Sequence, residues 1–207
     1  MLGEGTPIVS LEGIQYFYNL QNLYCADIGL TSLDVSALSK LTQLTCMDNA
    51  LGTLDLSKNT ALTQINCAAD QLTELKLPAG VQRLLCENNA LTALDLSGCT
   101  ALTYLKCANN QLATLNLGAN TALSTLIVSN NHLPLLDLRA NTALAAVTLG
   151  QQTITVNATQ QDNVFYAPVD GLAADGVVYQ DTEKYENGNF VTADYALMQN
   201  GFTYEYA

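Results

Sequence analysis

The apolar residues of this chain recur in a fixed short pattern rather than in long runs. From Leu20 onward, two apolar positions stand three residues apart, and a cysteine or aliphatic residue follows two positions later. The copies read LQNLYCADIGL, LTQLTCMDNAL, LTQINCAADQL, VQRLLCENNAL, LTYLKCANNQL and LSTLIVSNNHL, and a degenerate seventh copy, LAAVTLGQQTI, starts at Leu144. The apolar-polar-apolar alternation inside each copy predicts one short strand with a single buried face.

The copies return at a nearly constant period. Cys25, Cys46 and Cys67 lie 21 residues apart, Cys86 follows after 19, and Cys107 after another 21. A pattern L-x-x-L-x-[L/C]-x-x-N-x-L at a period of roughly 20–29 residues is the signature of leucine-rich repeats. The predicted fold is therefore an α/β-type leucine-rich repeat solenoid that is mostly β. We expect a right-handed coil of about seven 21-residue repeats, a parallel concave sheet, and short extended or 3-10 convex segments.

The terminal regions depart from the repeat and predict three parts. Residues 1–19 form an N-terminal cap, in which Leu11, Ile14 and Phe17 lead into the first repeat, and the solenoid spans 20–156. Residues 157–207 predict a small β-rich C-terminal cap or the start of a further domain, because turn dipeptides separate short strand-like runs there. The last run, FTYEYA, either joins an existing sheet or belongs to a longer protein. The segment ELKLPAGV lacks two residues, which predicts a tightened convex side without a break in sheet register.

The repeat also predicts two internal ladders of side chains. Cysteines at one repeat position stack on parallel strands about 4.8 Å apart and point the same way, whereas a disulfide needs Cβ atoms about 3.5–4.5 Å apart with a bond twisted near 90°. We therefore expect reduced core thiols at Cys25, Cys46, Cys67, Cys86 and Cys107. An amide where the chain leaves the sheet can satisfy backbone groups of the adjacent coil. This predicts a ladder of Asn49, Asn89, Asn110 and Asn131, with Asp70 in the same position.

Other polar residues give weaker signals. Cys99 replaces the Asn of a turn, so it is expected nearer to solvent. A tetrahedral metal site would need histidine or further cysteine to converge, and the chain has one His. The recurring convex aspartates, which are Asp34, Asp55, Asp95 and Asp137, supply one carboxylate per coil, too few for calcium. They favour local bonding to the backbone, and no metal or cofactor is predicted.

Charge and motifs exclude several function classes. The 207 residues include 19 acidic and 7 basic ones, a net charge of −12, with no basic cluster that could neutralise phosphates. No apolar run approaches the ~20 residues needed to cross a bilayer. We therefore expect no nucleic-acid binding and no membrane insertion, with any signal peptide and anchor outside this chain. His132 has no positioned nucleophile or acid in any catalytic motif, so no enzyme is predicted.

The outward strand positions predict a binding face. Tyr and Arg are frequent interface anchors, and the outward Leu85 and Ile127 have no structural need to be apolar. The predicted partner-binding residues on the concave face are Tyr24, Arg83, Leu85, Glu87, Tyr104, Lys106 and Ile127.

The opening SLEGIQYFYNLQNL and the repeats LTxLDLSxNTALTxLxC resemble bacterial internalin-like leucine-rich repeat proteins, over about residues 8–156. The resemblance is closest to the extracellular, cysteine-containing variety found in gut bacteria. It implies a bacterial cell-surface or secreted location and a non-enzymatic role in protein–protein recognition. The proposed partner is a host or bacterial surface protein, bound through the concave sheet. Two alternatives stay open, which are a rigid stalk displaying another domain and a glycan-binding adhesin.

Overall fold

A computed structural model describes residues 10–133 and 136–154, together with the backbone of six strands between residues 159 and 206. Its main feature is a seven-stranded sheet in which every neighbouring pair is parallel. The strands, in spatial order, are β1 (Asn22–Tyr24), β2 (Gln43–Thr45), β4 (Gln64–Asn66), β6 (Arg83–Leu85), β7 (Tyr104–Lys106), β8 (Thr125–Ile127) and β9 (Ala146–Thr148). The predicted leucine-rich repeat solenoid is confirmed.

The core follows directly from the repeat. The middle residue of each internal strand points inward, and these residues, Leu44, Ile65, Leu84, Leu105 and Leu126, are at most 1% exposed. They pair in register across the sheet, and the residue two positions later, a cysteine in every case except Val128, lies in the same buried layer. Burying each such side chain stabilises the fold by about 1.5–3 kcal/mol. A coil shares this burial with its neighbours, so the stacked array is stable where one coil would not be.

The convex side is extended rather than helical. Two of its segments, β3 (Thr53–Asp55) and β5 (Glu74–Lys76), pair as short parallel strands. The turns that follow use isolated bonds such as Asn59 N–H to the Leu56 carbonyl, at 2.9 Å. Single bonds of this kind do not continue into a helix, so the described convex segments contain no 3-10 helix. The described convex segments are short and extended, and this part of the predicted fold is confirmed.

The short repeat behaves as its sequence predicts. Gln64 pairs with Arg83 and Asn66 with Leu85, so the missing two residues leave the sheet register unbroken. On the convex side, a Cβ on Gly80 would lie 3.3 Å from the carbonyl oxygens of Thr60 and Leu62. The backbone therefore passes unusually close to the preceding coil at this point, which confirms the expected tightening.

The N-terminal cap contains one 3-10 helix, Ile14–Tyr16. Leu11 and Ile14 pack against the core from this cap. Phe17 is 61% exposed, so its predicted place among the apolar residues that close the first coil is wrong. Residues 1–9 of the predicted cap lie outside the described residues.

Beyond the parallel sheet, the described backbone consists of antiparallel strands. These are β10 (Gln151–Ile154), β11 (Thr159–Gln161), β12 (Val164–Pro168), β13 (Val177–Val178), β14 (Lys184–Glu186), β15 (Asn189–Thr192) and β16 (Phe202–Tyr206). They form one sheet of order β10-β16-β13 and another of order β11-β12-β15-β14. The run FTYEYA therefore joins a sheet, by pairing with β10. Parallel pairing ends at Thr148 and antiparallel pairing starts at Gln151, while the boundaries 20–156 and 157–207 stay predictions.

Candidate binding face and the ladders behind it

The Asn ladder next to the sheet uses both ends of each amide. Asn110 donates through Nδ2 to the carbonyl oxygens of Cys86 at 3.0 Å and Cys107 at 3.1 Å. Its Oδ1 accepts the backbone N–H of Leu91 at 3.0 Å. Asn49, Asn89 and Asn131 make the same three kinds of contact. Each amide therefore links its own coil to the preceding one, at the point where the chain leaves the sheet.

Asp70 occupies one position of this ladder, and its ionised carboxylate can accept hydrogen bonds but cannot donate them. Its Oδ1 accepts the backbone N–H of Asn49 at 2.9 Å, while Oδ2 lies 3.6 Å from Cys46 Sγ. The carboxyl is fully buried, and burial raises its pKa to about 6 even though the Asn49 bond acts to lower it. Only a protonated carboxyl could donate as the amides of its neighbours do.

A second ladder lies on the convex side. Asn120 Nδ2 donates to the carbonyl oxygens of Leu96 at 3.1 Å and Cys99 at 2.8 Å. Asn59 and Asn141 repeat this arrangement. The sequence showed these residues only as parts of turns, and the recurrence of Asn at a 21-residue spacing from Asn120 to Asn141 was the available signal.

Cys99 belongs to this second ladder, and its expected place near solvent is wrong. It is 2% exposed, and its Sγ lies 3.5 Å from the carbonyl oxygen of Pro78 in the preceding coil. It stands 21 residues before Asn120. Its thiol therefore replaces the donor end of an asparagine amide.

All six cysteines are free thiols and buried. Loss of hydration on burial raises the pKa of Cys25 to about 11 and that of Cys107 to about 12. The same cause raises the pKa of Cys46, Cys67 and Cys86 still further. These thiols stay protonated at neutral pH and cannot act as nucleophiles or metal ligands in this state.

The convex aspartates bond locally. Asp34 Oδ1 accepts the backbone N–H of Ser36 at 2.9 Å, and Asp95 accepts that of Ser97 at the same distance. Asp55 and Asp137 make equivalent bonds to the second residue after them. Bonds from Ser57, Ser97 and Arg139 lower the pKa of the carboxyls of Asp55, Asp95 and Asp137. The row is thus a series of turn-forming residues, as the sequence predicted.

The concave face carries two outward rows in strict register. One row runs through Asn22, Gln43, Gln64, Arg83, Tyr104, Thr125 and Ala146, and the other through Tyr24, Thr45, Asn66, Leu85, Lys106, Ile127 and Thr148. The side chains in these rows vary from coil to coil, while the inward residues between them are almost all leucine.

The centre of this face holds two charged contacts. The guanidinium carbon of Arg83 lies 3.7 Å from the centre of the Tyr104 ring. Lys106 Nζ lies 2.9 Å from Glu87 Oε1. Leu85 and Ile127 flank Lys106 in the second row and are half-buried. We call Arg83, Leu85, Tyr104, Lys106 and Ile127 the central patch.

Two of the predicted partner-binding residues lie apart from this patch. Tyr24 is 71% exposed, but β2 and β4 separate its strand from β6, a distance of about 14 Å at roughly 4.8 Å per strand. Glu87 is only 9% exposed. It follows the buried Cys86 and fills the space beside the small residues Ala68 and Ala108, which are also buried. Glu87 therefore positions Lys106 and does not itself offer a contact surface.

A row of exposed amides borders the concave face and was not predicted. Asn109 Nδ2 donates to Asn88 Oδ1 at 2.7 Å, and Asn130 Nδ2 donates to Asn109 Oδ1 at 2.6 Å. All three backbones have positive φ, between 55° and 58°, a conformation that Asn tolerates better than most residues. The doubled Asn of ENN, ANN and SNN was the signal for this row.

No family model and no curated protein sequence matches the chain. Among solved structures it is similar to the functional domain of InlJ from Listeria monocytogenes, with a TM-score of 0.66 and 34% identity. That match covers 72% of this chain and 33% of the InlJ chain. Internalin C2 from the same organism has a TM-score of 0.61 and 28% identity, over 70% of this chain and 67% of its own. The chain is an internalin-like leucine-rich repeat protein.

A third solved structure agrees on the fold. Internalin InlF from Listeria monocytogenes has a TM-score of 0.52 at 22% identity, over 74% of this chain and 55% of its own. The InlJ domain includes a cysteine ladder, and buried cysteines also stack on adjacent strands in the present chain. This chain spans one third of the InlJ chain, so the comparison covers the repeats rather than the whole of that protein.

Three further features lie among the described residues. His132 is exposed in a repeat turn, where its backbone N–H bonds the carbonyl of Leu112. In the part of the chain that the structure describes, no helix has the length and apolarity that crossing a bilayer requires. Two shallow cavities of about 450 and 500 Å³ open on the convex side of the N-terminal end, and Ser32, Leu33, Asp34 and Ser36 line both.

Proposed function

We propose that this chain is a non-enzymatic protein-recognition module of a bacterial cell-surface or secreted protein, and that it binds its partner through the concave sheet. The observation that carries the proposal is the contrast between rows on this sheet. The inward row holds leucine in five of its seven coils and isoleucine or valine in the other two, whereas the outward rows differ between most neighbouring coils and bring Arg83, Tyr104 and Lys106 together at the centre. The similarity to internalins supports a leucine-rich repeat interaction module.

The shape of the face suits this role. Solenoids present extended concave surfaces because each coil adds one short strand to the same sheet. Binding energy in protein interfaces is concentrated in a few central residues, with Tyr and Arg over-represented among them. The central patch has this composition, and amide and hydroxyl side chains occupy the outward positions of β2 and β4 on one side of it.

The test is capture of a surface protein by the purified chain from host-cell surface and bacterial envelope extracts. The concave variant Leu85→Asp/Tyr104→Ala/Lys106→Glu should lose capture of any specific partner while keeping the parent's circular dichroism spectrum. A matched convex variant, Lys58→Glu/Thr100→Ala/Thr121→Asp, changes the net charge by the same amount at exposed turn residues. It should capture the partner as the parent does. Equal capture by all three proteins, or by none, would contradict the proposal and favour a stalk that only displays another domain.

One observation favours a second candidate, a glycan-binding adhesin. Tyr24 is 71% exposed, its hydroxyl lies 3.4 Å from Gln43 Oε1, and Gln64 and Asn66 follow on β4. An exposed aromatic face beside several amides can stack on a sugar ring and bond its hydroxyls. A glycan array probed with the parent and with Tyr24→Ala tests this function. Binding that disappears in the variant would support it, and an empty array for the parent would refute it.

A further inference from the structure

We propose that the protein partner places an acidic side chain on Arg83, with a large apolar side chain next to it that covers Leu85 and Ile127. The inference rests on the proposed function, because it specifies which partner chemistry the concave face accepts. The occupant is a segment of a protein in which Asp or Glu stands within one or two residues of Leu, Ile, Phe, Tyr or Trp.

Arg83 is prepared for such a contact. Its guanidinium carbon lies over the Tyr104 ring, 3.7 Å from the ring centre, a stacking contact that restricts the side chain before any partner binds. Among the described residues no carboxylate forms an ion pair with it, whereas Lys106 and Arg139 each have one such partner and Lys76 has two. A guanidinium presents five N–H donors in a rigid plane that matches a carboxylate with two parallel hydrogen bonds. Stacking occupies the face of this plane and leaves its edge for the partner.

The distribution of charge on the concave face favours an acidic side chain of the partner. The outward rows of the seven strands contain Arg83 and Lys106 and no acidic residue, although the chain has 19 acidic and 7 basic residues. Lys106 is already neutralised, since its Nζ lies 2.9 Å from the carboxylate of the buried Glu87. Arg83 therefore supplies the uncompensated positive charge at the centre of a surface that is otherwise uncharged.

The apolar part of the proposal comes from the neighbouring row. Leu85, Lys106 and Ile127 pair in register on β6, β7 and β8. Lys106 stands between the two apolar residues in this row, and its ammonium is paired with Glu87. Leu85 stands two residues after Arg83 on the same face of β6, about 7 Å further along the strand. One short segment can reach both positions, with its acidic and its apolar side chain on the same side.

The experiment pans a random twelve-residue peptide library, displayed on phage, against the full chain and against Arg83→Glu. Peptides enriched only by the parent should carry Asp or Glu within two residues of a large apolar residue. In a synthetic peptide of that sequence, replacing the acid by its amide should weaken binding to the parent roughly 10-fold, as is typical for loss of a close charge pair. The same replacement should leave binding to Arg83→Ala unchanged, because in that variant the acid of the peptide has no guanidinium to pair with.

Matched variants separate this contact from a general effect of charge. Arg83→Lys keeps the charge but loses the planar donor pair, and should weaken binding of the peptide by several-fold to roughly 10-fold. Arg139→Glu makes the same charge change as Arg83→Glu at an exposed turn on the convex side, and should bind like the parent.

The outcomes distinguish this inference from the proposed function. Enriched peptides that lack acids, or whose acids can be replaced without loss, overturn the inference. If such peptides still lose binding to Leu85→Asp/Tyr104→Ala/Lys106→Glu, the concave face remains the binding surface and only the acidic partner is refuted. A library that yields no Arg83-dependent peptide also counts against the inference.

Discussion

The two buried Asn ladders hold the same coils together by different means. In the ladder next to the sheet, each amide donates through Nδ2 and accepts through Oδ1, as Asn110 does between Cys86, Cys107 and Leu91. In the convex ladder only the donor is used. The Oδ1 atoms of Asn59, Asn120 and Asn141 are buried and have no hydrogen-bond partner among the described residues.

This difference accounts for Asp70 and Cys99, which are two of the residues that replace Asn in these ladders. Where only a donor is needed, the thiol of Cys99 can stand in, and Leu38, which lies 21 residues before Asn59, is fully buried at the same repeat position. Where both ends are needed, Asp70 keeps the acceptor and loses the donors. The number of bonds per side chain therefore sets the tolerance of each position to substitution.

The largest expected effect comes from replacing one Asn in each ladder by leucine. Asn110→Leu leaves two carbonyls and one N–H without their partner, which should lower the free energy of unfolding by about 3–5 kcal/mol. Asn120→Leu leaves two carbonyls unpaired but also removes an oxygen that had no partner, so the loss should be about 1–2 kcal/mol. Urea unfolding followed by circular dichroism measures both. Equal losses would show that the two ladders do not differ in this way.

The next effect concerns Asp70 and depends on pH. Burial raises its pKa from 3.8 to about 6, so the folded protein holds the proton more tightly than the unfolded chain does. Stability should therefore fall as pH rises from about 4 to about 6 and stay low above that, by about 2–3 kcal/mol in total. Asp70→Asn does not titrate and restores the donor, so it should be more stable than the parent by a similar amount at pH 7.5, with the gain disappearing near pH 4.

Urea unfolding between pH 3.5 and pH 8 tests this expectation. The control is Asp95→Asn on the convex side, where bonds from Ser97 lower the carboxyl pKa. The stability that this carboxylate supplies is present above its unfolded pKa and is lost as pH falls. Removing it should slightly destabilise the protein at neutral pH, the opposite sign to Asp70→Asn. A parent whose stability does not change between pH 4 and pH 7 would refute the assignment for Asp70.

The smallest expected effect is at Cys99. Cys99→Ala removes a weak bond to the Pro78 carbonyl and a small buried group, and should cost about 1 kcal/mol. Cys99→Asn supplies the donor that its neighbours use, so it should lie within about 0.5 kcal/mol of the parent. By contrast, Cys107→Asn places an amide among leucines and should cost considerably more. Thermal unfolding of the three variants gives the ranking, and intolerance of Asn at position 99 would contradict the donor-only description.

The sequence was sufficient for the sheet and for its outward rows. Once the repeat is aligned, the period of two inside each strand decides which residues face outward, so Arg83, Tyr104 and Lys106 could be placed together without coordinates. The stacking of Arg83 on Tyr104 and the pairing of Lys106 with Glu87 depend on side-chain torsions that periodicity does not specify.

The burial of residues outside the strands, such as Glu87 and Cys99, was harder to predict. Glu87 was predicted among the residues of the concave binding face, yet it is buried, as are the small residues Ala68 and Ala108 at the equivalent positions. The repeated alanine was a signal for restricted space at this position. Cys99 was misplaced for a related reason, because a turn residue was assumed to be exposed, whereas every carbonyl stacked inside a solenoid needs a donor from the next coil.

The reactivity of the buried thiols can report local unfolding of the solenoid. A thiol that stays protonated and out of contact with solvent does not react with an alkylating reagent, and the six cysteines lie in five successive coils, with Cys86 and Cys99 in the same one. Brief exposure to iodoacetamide followed by peptide mass spectrometry would therefore show which coils separate first, coil by coil. A single cysteine introduced on the surface could also carry a fluorophore while all six native ones remain in place.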